Sequence, residues 1–183
     1  MTSRAAVIVP GGQNGPSAPL PMYAADAAER RGARIHQIWW EEPDRPPTLA
    51  DDERGPWVLP QVERALAATE GDTLLIGRSL GSYASPLVAD RDLPAVWLSP
   101  ILPSPWVLDG LRRATAPFLI VGGTADAFWD SAVAHELTPY VLEVPGAGHG
   151  MYVPGRLAAS ATVLGQVATA VEDFLDEVVW PSP

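Results

Sequence analysis

Four short glycine-rich stretches hold the groups in this chain that could do covalent chemistry. Gly77-Arg78-Ser79-Leu80-Gly81 brackets a serine directly behind the apolar run Thr73-Leu74-Leu75-Ile76. Gly122-Gly123-Thr124-Ala125-Asp126 puts an acid behind Phe118-Leu119-Ile120-Val121. Pro145-Gly146-Ala147-Gly148-His149-Gly150 puts an imidazole behind Tyr140-Val141-Leu142-Glu143-Val144. The fourth stretch, Pro10-Gly11-Gly12-Gln13-Asn14-Gly15, follows Ala5-Ala6-Val7-Ile8-Val9 and offers backbone N–H groups. A hydroxyl, a base and an acid suffice for acyl transfer when backbone donors receive the developing oxyanion. A nucleophile between strand and helix sits on a sharp turn, and Gly77 and Gly81 remove the Cβ atoms that would crowd it. The pattern alone is common; its placement after a strand and before a helix gives it weight.

Within each stretch the spacing favours particular residues. His149 follows the last strand, whereas His36 falls inside a strand and His135 inside a short helix, where histidines are ordinarily structural or exposed. Asp126 lies closer to its strand end than Asp130, which could cap the following helix. As oxyanion donors, the Leu80 N–H is expected on one side and the N–H of Gly12 or Gln13 on the other. The PGGQNG loop has neither G-x-G-x-x-G nor a G-K-[ST] ending, so it does not read as a phosphate loop.

These residues must be positioned by the elements before them. Short β-branched runs at 5–9, 34–39, 73–76, 95–98, 118–121 and 140–144 predict six strands. Helical spacing at 20–31, 57–69, 80–89, 108–113, 131–137 and 156–179 predicts the helices between them, with Val163, Val167, Val171 and Leu175 on one face of the last. The acidic, proline-rich segment 41–55 reads as a loop. Alternating strands and helices predict an α/β fold: three layers around a mostly parallel, roughly six-stranded sheet, in one domain spanning 1–183. Ligands of such sheets bind beyond the carboxyl ends of the strands, where all four stretches fall.

Composition narrows the function. The 183 residues are 47% hydrophobic and 19% charged, ordinary for a globular protein. The chain has no cysteine, which removes thiol nucleophiles and thiolate metal sites. A net charge of −10, with arginine as the only strong base, argues against a nucleic-acid partner. No signal peptide or membrane span is read at the sequence level, so a cytoplasmic protein is expected.

The order serine, acid, histidine and the stretches GRSLGS, GGTAD and GAGHG resemble the α/β-hydrolase superfamily. They are similar to its small, lidless members related to dienelactone hydrolases, and the resemblance covers nearly the whole chain. It implies nucleophile, acid and base at Ser79, Asp126 and His149, with no cofactor and no metal. Dienelactone hydrolases use a cysteine nucleophile, so their substrate does not carry over to a serine. The oxyanion loop begins Pro10-Gly11 where many members have His-Gly, which leaves the backbone donors intact. The six strands expected here fall short of the family's usual eight, and the resemblance implies that the two N-terminal edge strands are the pair not represented. A lid would enter between the fourth and fifth strands, but 99–117 is too short for one, implying a shallow site. Trp106, Trp129, Met151 and Tyr152 could line an acyl or alcohol pocket there, or pack beneath the loops; Trp39 and Trp40 could contribute from a neighbouring strand end.

The expected function is hydrolysis of small carboxylic esters or thioesters through an acyl-enzyme on Ser79. A non-catalytic binding or scaffold protein on the same fold and an acyltransferase are the alternatives. Neutral or weakly polar substrates are expected rather than strongly anionic ones, since only Arg78 lies next to the nucleophile and its side chain is read as pointing away from the site.

Overall fold

A computed structural model describes residues 3–181. Six strands, β1 (Arg4–Val9), β2 (Ala33–Gln37), β3 (Asp72–Arg78), β4 (Ala95–Leu98), β5 (Phe118–Gly123) and β6 (Val141–Val144), form one sheet in the order β2-β1-β3-β4-β5-β6. Every pairing is parallel, with register such as Ile8↔Ile76, Arg78↔Leu98 and Gly123↔Val144. The continuous apolar runs follow from this: a parallel sheet is covered on both faces, so alternation between water and core is lost. Ala6, Ile8, Leu74, Ile76, Val96, Leu98 and Val121 point to one face, and Val7, Val9, Leu75, Trp97 and Ile120 to the other.

The first face is covered by α1 (Pro19–Glu29) and α6 (Leu157–Phe174). Alanines on α1 meet Val163, Val167 and Val171 on α6, and Leu175 continues that buried row in a π turn, Leu175–Val179. Arg31, just past α1, holds this end by hydrogen bonds to both Asp176 oxygens at 2.6 and 2.5 Å. The second face is covered by α2 (Asp51–Ala67), α3 (Ser85–Asp90), α4 (Pro105–Arg113) and α5 (Ser131–Leu137). Chain order reverses between β1 and β3, which sit side by side while their following connections leave in opposite directions. That switch point opens a crevice at the carboxyl edge.

Two elements differ from the sequence-based expectation. Helix α2 begins at Asp51, inside the segment read as loop, and carries Pro56 and Pro60 in its interior. Its acidic first turn suits the positive end of the helix dipole, and Glu53 accepts from the Ala50 N–H at 2.9 Å. Asp51 is further anchored by the Tyr83 hydroxyl and by Ser104 Oγ at 2.9 Å. Those tertiary partners outweigh the proline signal. The segment after Ser79 is not one helix but a 3₁₀ stretch, Ser79–Ala84, followed by α3. Pro86 has no N–H to donate back into the preceding turn, so the α geometry restarts there.

Candidate active site

Ser79 leaves β3 with φ of +49°, a left-handed conformation that costs a non-glycine residue about 1–3 kcal/mol. The turn is braced by Ser82, whose hydroxyl donates to the Ser79 carbonyl at 2.6 Å and accepts from the Ile101 N–H at 3.1 Å. A Cβ on Gly81 would stand 2.4 Å from the Val9 carbonyl, and one on Gly77 would stand 2.6 Å from the Trp97 ring. Both glycines are therefore steric requirements of the turn.

The acid and imidazole arrive from the next two strand ends. A Cβ on Gly123 would lie 2.1 Å from the Ala147 carbonyl, so the loop carrying His149 crosses β5 only because Gly123 has none. Asp126, its side chain 1% exposed, accepts at Oδ2 from His149 Nδ1 at 2.7 Å and at Oδ1 from the Phe128 N–H at 2.9 Å. With the Nδ1 proton so held, Nε2 is the accepting nitrogen, and it lies 2.8 Å from Ser79 Oγ. The Phe128 ring meets the imidazole edge to face at 5.2 Å. Asp130 makes no part of this chain of contacts; it caps α5 by accepting from the Val133 N–H at 3.0 Å. His36 lies on the edge strand β2 and His135 on α5.

Gly12, Gln13 and Leu80 border a cavity of about 300 Å³ that also holds Ser79 and His149. Trp40 donates from Nε1 to the Gly11 carbonyl at 2.9 Å. A trans peptide points its N–H opposite its carbonyl, so this bond turns the Gly12 N–H away from Trp40. Behind the cavity, Tyr83 links to Asp51 and lies 3.2 Å from Arg54 Nη1. Burial, and then the bond to Asp51, push the Tyr83 hydroxyl above its ordinary pKa.

The expected pocket residues separate into two groups. Trp106 and Trp129 do not line the Ser79 cavity. Trp106 packs on Gly55 and donates to the Tyr83 carbonyl at 3.1 Å. Trp129 covers Gly122 and donates to Glu143 at 2.6 Å. Hydrogen bonds from Ser131 and Trp129 hold the Glu143 carboxyl below its ordinary value. A half-buried indole packed on a glycine with its N–H satisfied in this way is a packing element. Met151 and Tyr152 instead border a second cavity, about 490 Å³, between α1, α6 and the His149 loop.

Arg78 does not point away from the site. Period-two alternation along β3 puts it on the face of Leu74 and Ile76, toward α1 and α6. From there its long side chain reaches the carboxyl edge and borders both cavities, as does Asn14. Strand β3 extends to Arg78, two residues past the apolar run that marks it in the sequence, and this extension sets the direction of the side chain. Arg54 carried no sequence signal, because a distant segment brings it to the site; Phe128 and Tyr83 stand close to Asp126 and Ser79 in the chain, but nothing in the residue order says that their rings face the cavity.

No family model matches this chain, and no curated sequence resembles it at a significant level. Solved structures do. A dienelactone hydrolase from Anabaena variabilis aligns over 97% of this chain and 87% of its own, at 17% identity and a TM-score of 0.72. Est1E from Butyrivibrio proteoclasticus, solved with ferulic acid, aligns over 97% and 90%, at 15% identity and a TM-score of 0.70. A serine hydrolase without a lid from Xanthomonas campestris aligns over 99% and 85%, at 13% identity and a TM-score of 0.59. With six parallel strands and only α4 between β4 and β5, the chain has the α/β-hydrolase fold in a minimal form.

Proposed function

We propose that the protein is a serine hydrolase that cleaves small carboxylic esters or thioesters through an acyl-enzyme on Ser79. The observation that carries this reading is the continuous hydrogen-bond line from Ser79 Oγ through His149 to the buried Asp126. In the acylation step Ser79 Oγ attacks the carbonyl carbon while His149 Nε2 takes its proton. Asp126 holds the imidazole and stabilises the imidazolium. The tetrahedral oxyanion is received by the Leu80 N–H and by the N–H of Gly12 or Gln13, each worth about 10²–10³ in rate. Collapse breaks the bond to the leaving alcohol, which collects the proton from His149. Water then enters, gives its proton to His149 and attacks the acyl carbon, and the Ser79 oxygen recovers the proton as acid is released.

The chain offers no requirement for a cofactor in these steps, because the proton is shuttled by His149 alone. The test is labelling with a fluorophosphonate, followed by peptide mapping, with Ser79→Ala as control. Label confined to Ser79 is expected. A folded sample that takes no label would turn the reading toward a binding protein on the hydrolase fold.

A further inference from the structure

One charged group at the site has no task in the scheme above. Arg78 is 9% exposed, yet among the described residues its guanidinium takes part in no hydrogen bond or ion pair. Arg54, the other arginine bordering the Ser79 cavity, is engaged by Tyr83 and Asp51. Asp126 attracts Arg78 only through space, its oxygens being committed to His149 and the Phe128 N–H. Burial works against the charge on Arg78, and Asp126 offsets part of that cost. The guanidinium nevertheless stays protonated, since its intrinsic pKa lies far above neutrality. The stem of Arg78 is buried while its unpaired donors open onto the two cavities, so they are presented to whatever acceptor enters there.

Its location says what that acceptor adjoins. A methyl group placed on Gly11 would lie 2.6 Å from Arg78 Nη1 and 3.6 Å from Ser79 Cβ, so cation and serine flank the same glycine. Arg78 and Asn14 also border both cavities, which puts them at the junction between the two. The amide of Asn14 adds a donor at that junction. A guanidinium fork matches the two oxygens of a carboxylate in parallel N–H···O bonds. One unpaired arginine in a chain of net charge −10 suits a monoanion better than a doubly charged phosphate.

Resting on the hydrolase reading, we propose that Arg78 binds a substrate carboxylate, and that the preferred substrates are esters bearing a carboxylate a short chain away from the scissile carbonyl. The ester occupies the smaller cavity at Ser79, and the carboxylate turns to the junction. The apolar walls of the larger cavity, among them Leu20, Met151 and Leu164, take whatever hydrocarbon lies beyond. This reverses the expectation of neutral substrates.

The test compares kcat/KM for monomethyl glutarate, an anion, with that for methyl pentanoate, its neutral counterpart. The wild type is expected to favour the anion at least tenfold, and Arg78→Gln to lower that ratio at least tenfold. Arg78→Lys, which keeps the charge and loses the fork, falls between. A wild-type preference for the neutral ester, or a ratio untouched in a folded Arg78→Gln, overturns the proposal. Binding is read separately by calorimetry with monomethyl glutarate on Ser79→Ala, with and without Arg78→Gln. Binding that Arg78→Gln removes, together with a folded wild type that takes no fluorophosphonate label, keeps the anion site and rejects the hydrolase. Label without Arg78-dependent binding does the reverse.

Discussion

The two cavities at the carboxyl edge of the sheet are built from different materials. The smaller is framed by strand ends and glycine-rich turns that fix Ser79 and His149, with side chains such as Tyr83, Ile101 and Phe128 closing its walls. The larger is made of side chains from α1, α6 and the His149 loop, elements that meet only through the packed layer on one face. Chemistry that needs atoms placed to fractions of an ångström rests on the first kind of construction. Selection among substrates can rest on the second, where exchanging one apolar side chain changes shape without moving the reacting atoms.

Breaking the smaller cavity should affect every substrate alike. Ser79→Ala is expected to lower ester kcat by at least ~10⁴-fold with a melting temperature within a few degrees of wild type. Steady-state turnover and thermal unfolding check this, and full turnover in the mutant would move the nucleophile elsewhere. Next in size, Asp126→Asn should cost about 10²–10⁴ in kcat. Its neighbour Asp130→Ala should leave kcat within about twofold and cost about 1 kcal/mol of stability through the lost helix cap. The opposite ranking would transfer the acid to Asp130.

Breaking the larger cavity should change preference rather than capability. Leu164→Trp fills it, and the ratio of kcat/KM for an octanoyl ester to that for an acetyl ester should fall by roughly tenfold. Equal losses on both esters would mean that the cavities do not act as separate compartments. The smallest effect belongs to Trp40→Phe, which deletes the bond to the Gly11 carbonyl. A three- to tenfold loss in kcat with KM nearly constant is expected, about 1 kcal/mol. A rise in KM alone would assign Trp40 to binding instead of to orienting the loop.

The same division explains what could be read from the amino-acid order. The sheet was legible because strands buried on both faces leave unbroken apolar runs, as in Ala5–Val9 and Ala95–Leu98. Ser79, Asp126 and His149 were legible as a group because each follows such a run, and a parallel sheet brings all its carboxyl ends to one edge. Trp106 and Trp129 were not, since proximity to a strand end in sequence does not say which side of the loop an indole takes. Both turned inward to satisfy an N–H. The start of α2 was hidden because Asp51 depends on Tyr83 and Ser104, more than thirty positions away. Of the larger cavity only Met151 and Tyr152 were legible, since its remaining walls come from α1 and α6, which stand at opposite ends of the chain.

Strand order also bears on when the proposed activity can first appear. Every strand pair is parallel, so no hairpin can form early and each pairing must close a long connection. Ser79 stands on the third strand, and its imidazole is delivered after the sixth, seventy positions later. No stretch that has emerged from a ribosome before β6 holds both groups. Turnover during refolding is therefore a clock for the last docking event at the sheet edge, and it should lag behind the return of helical signal.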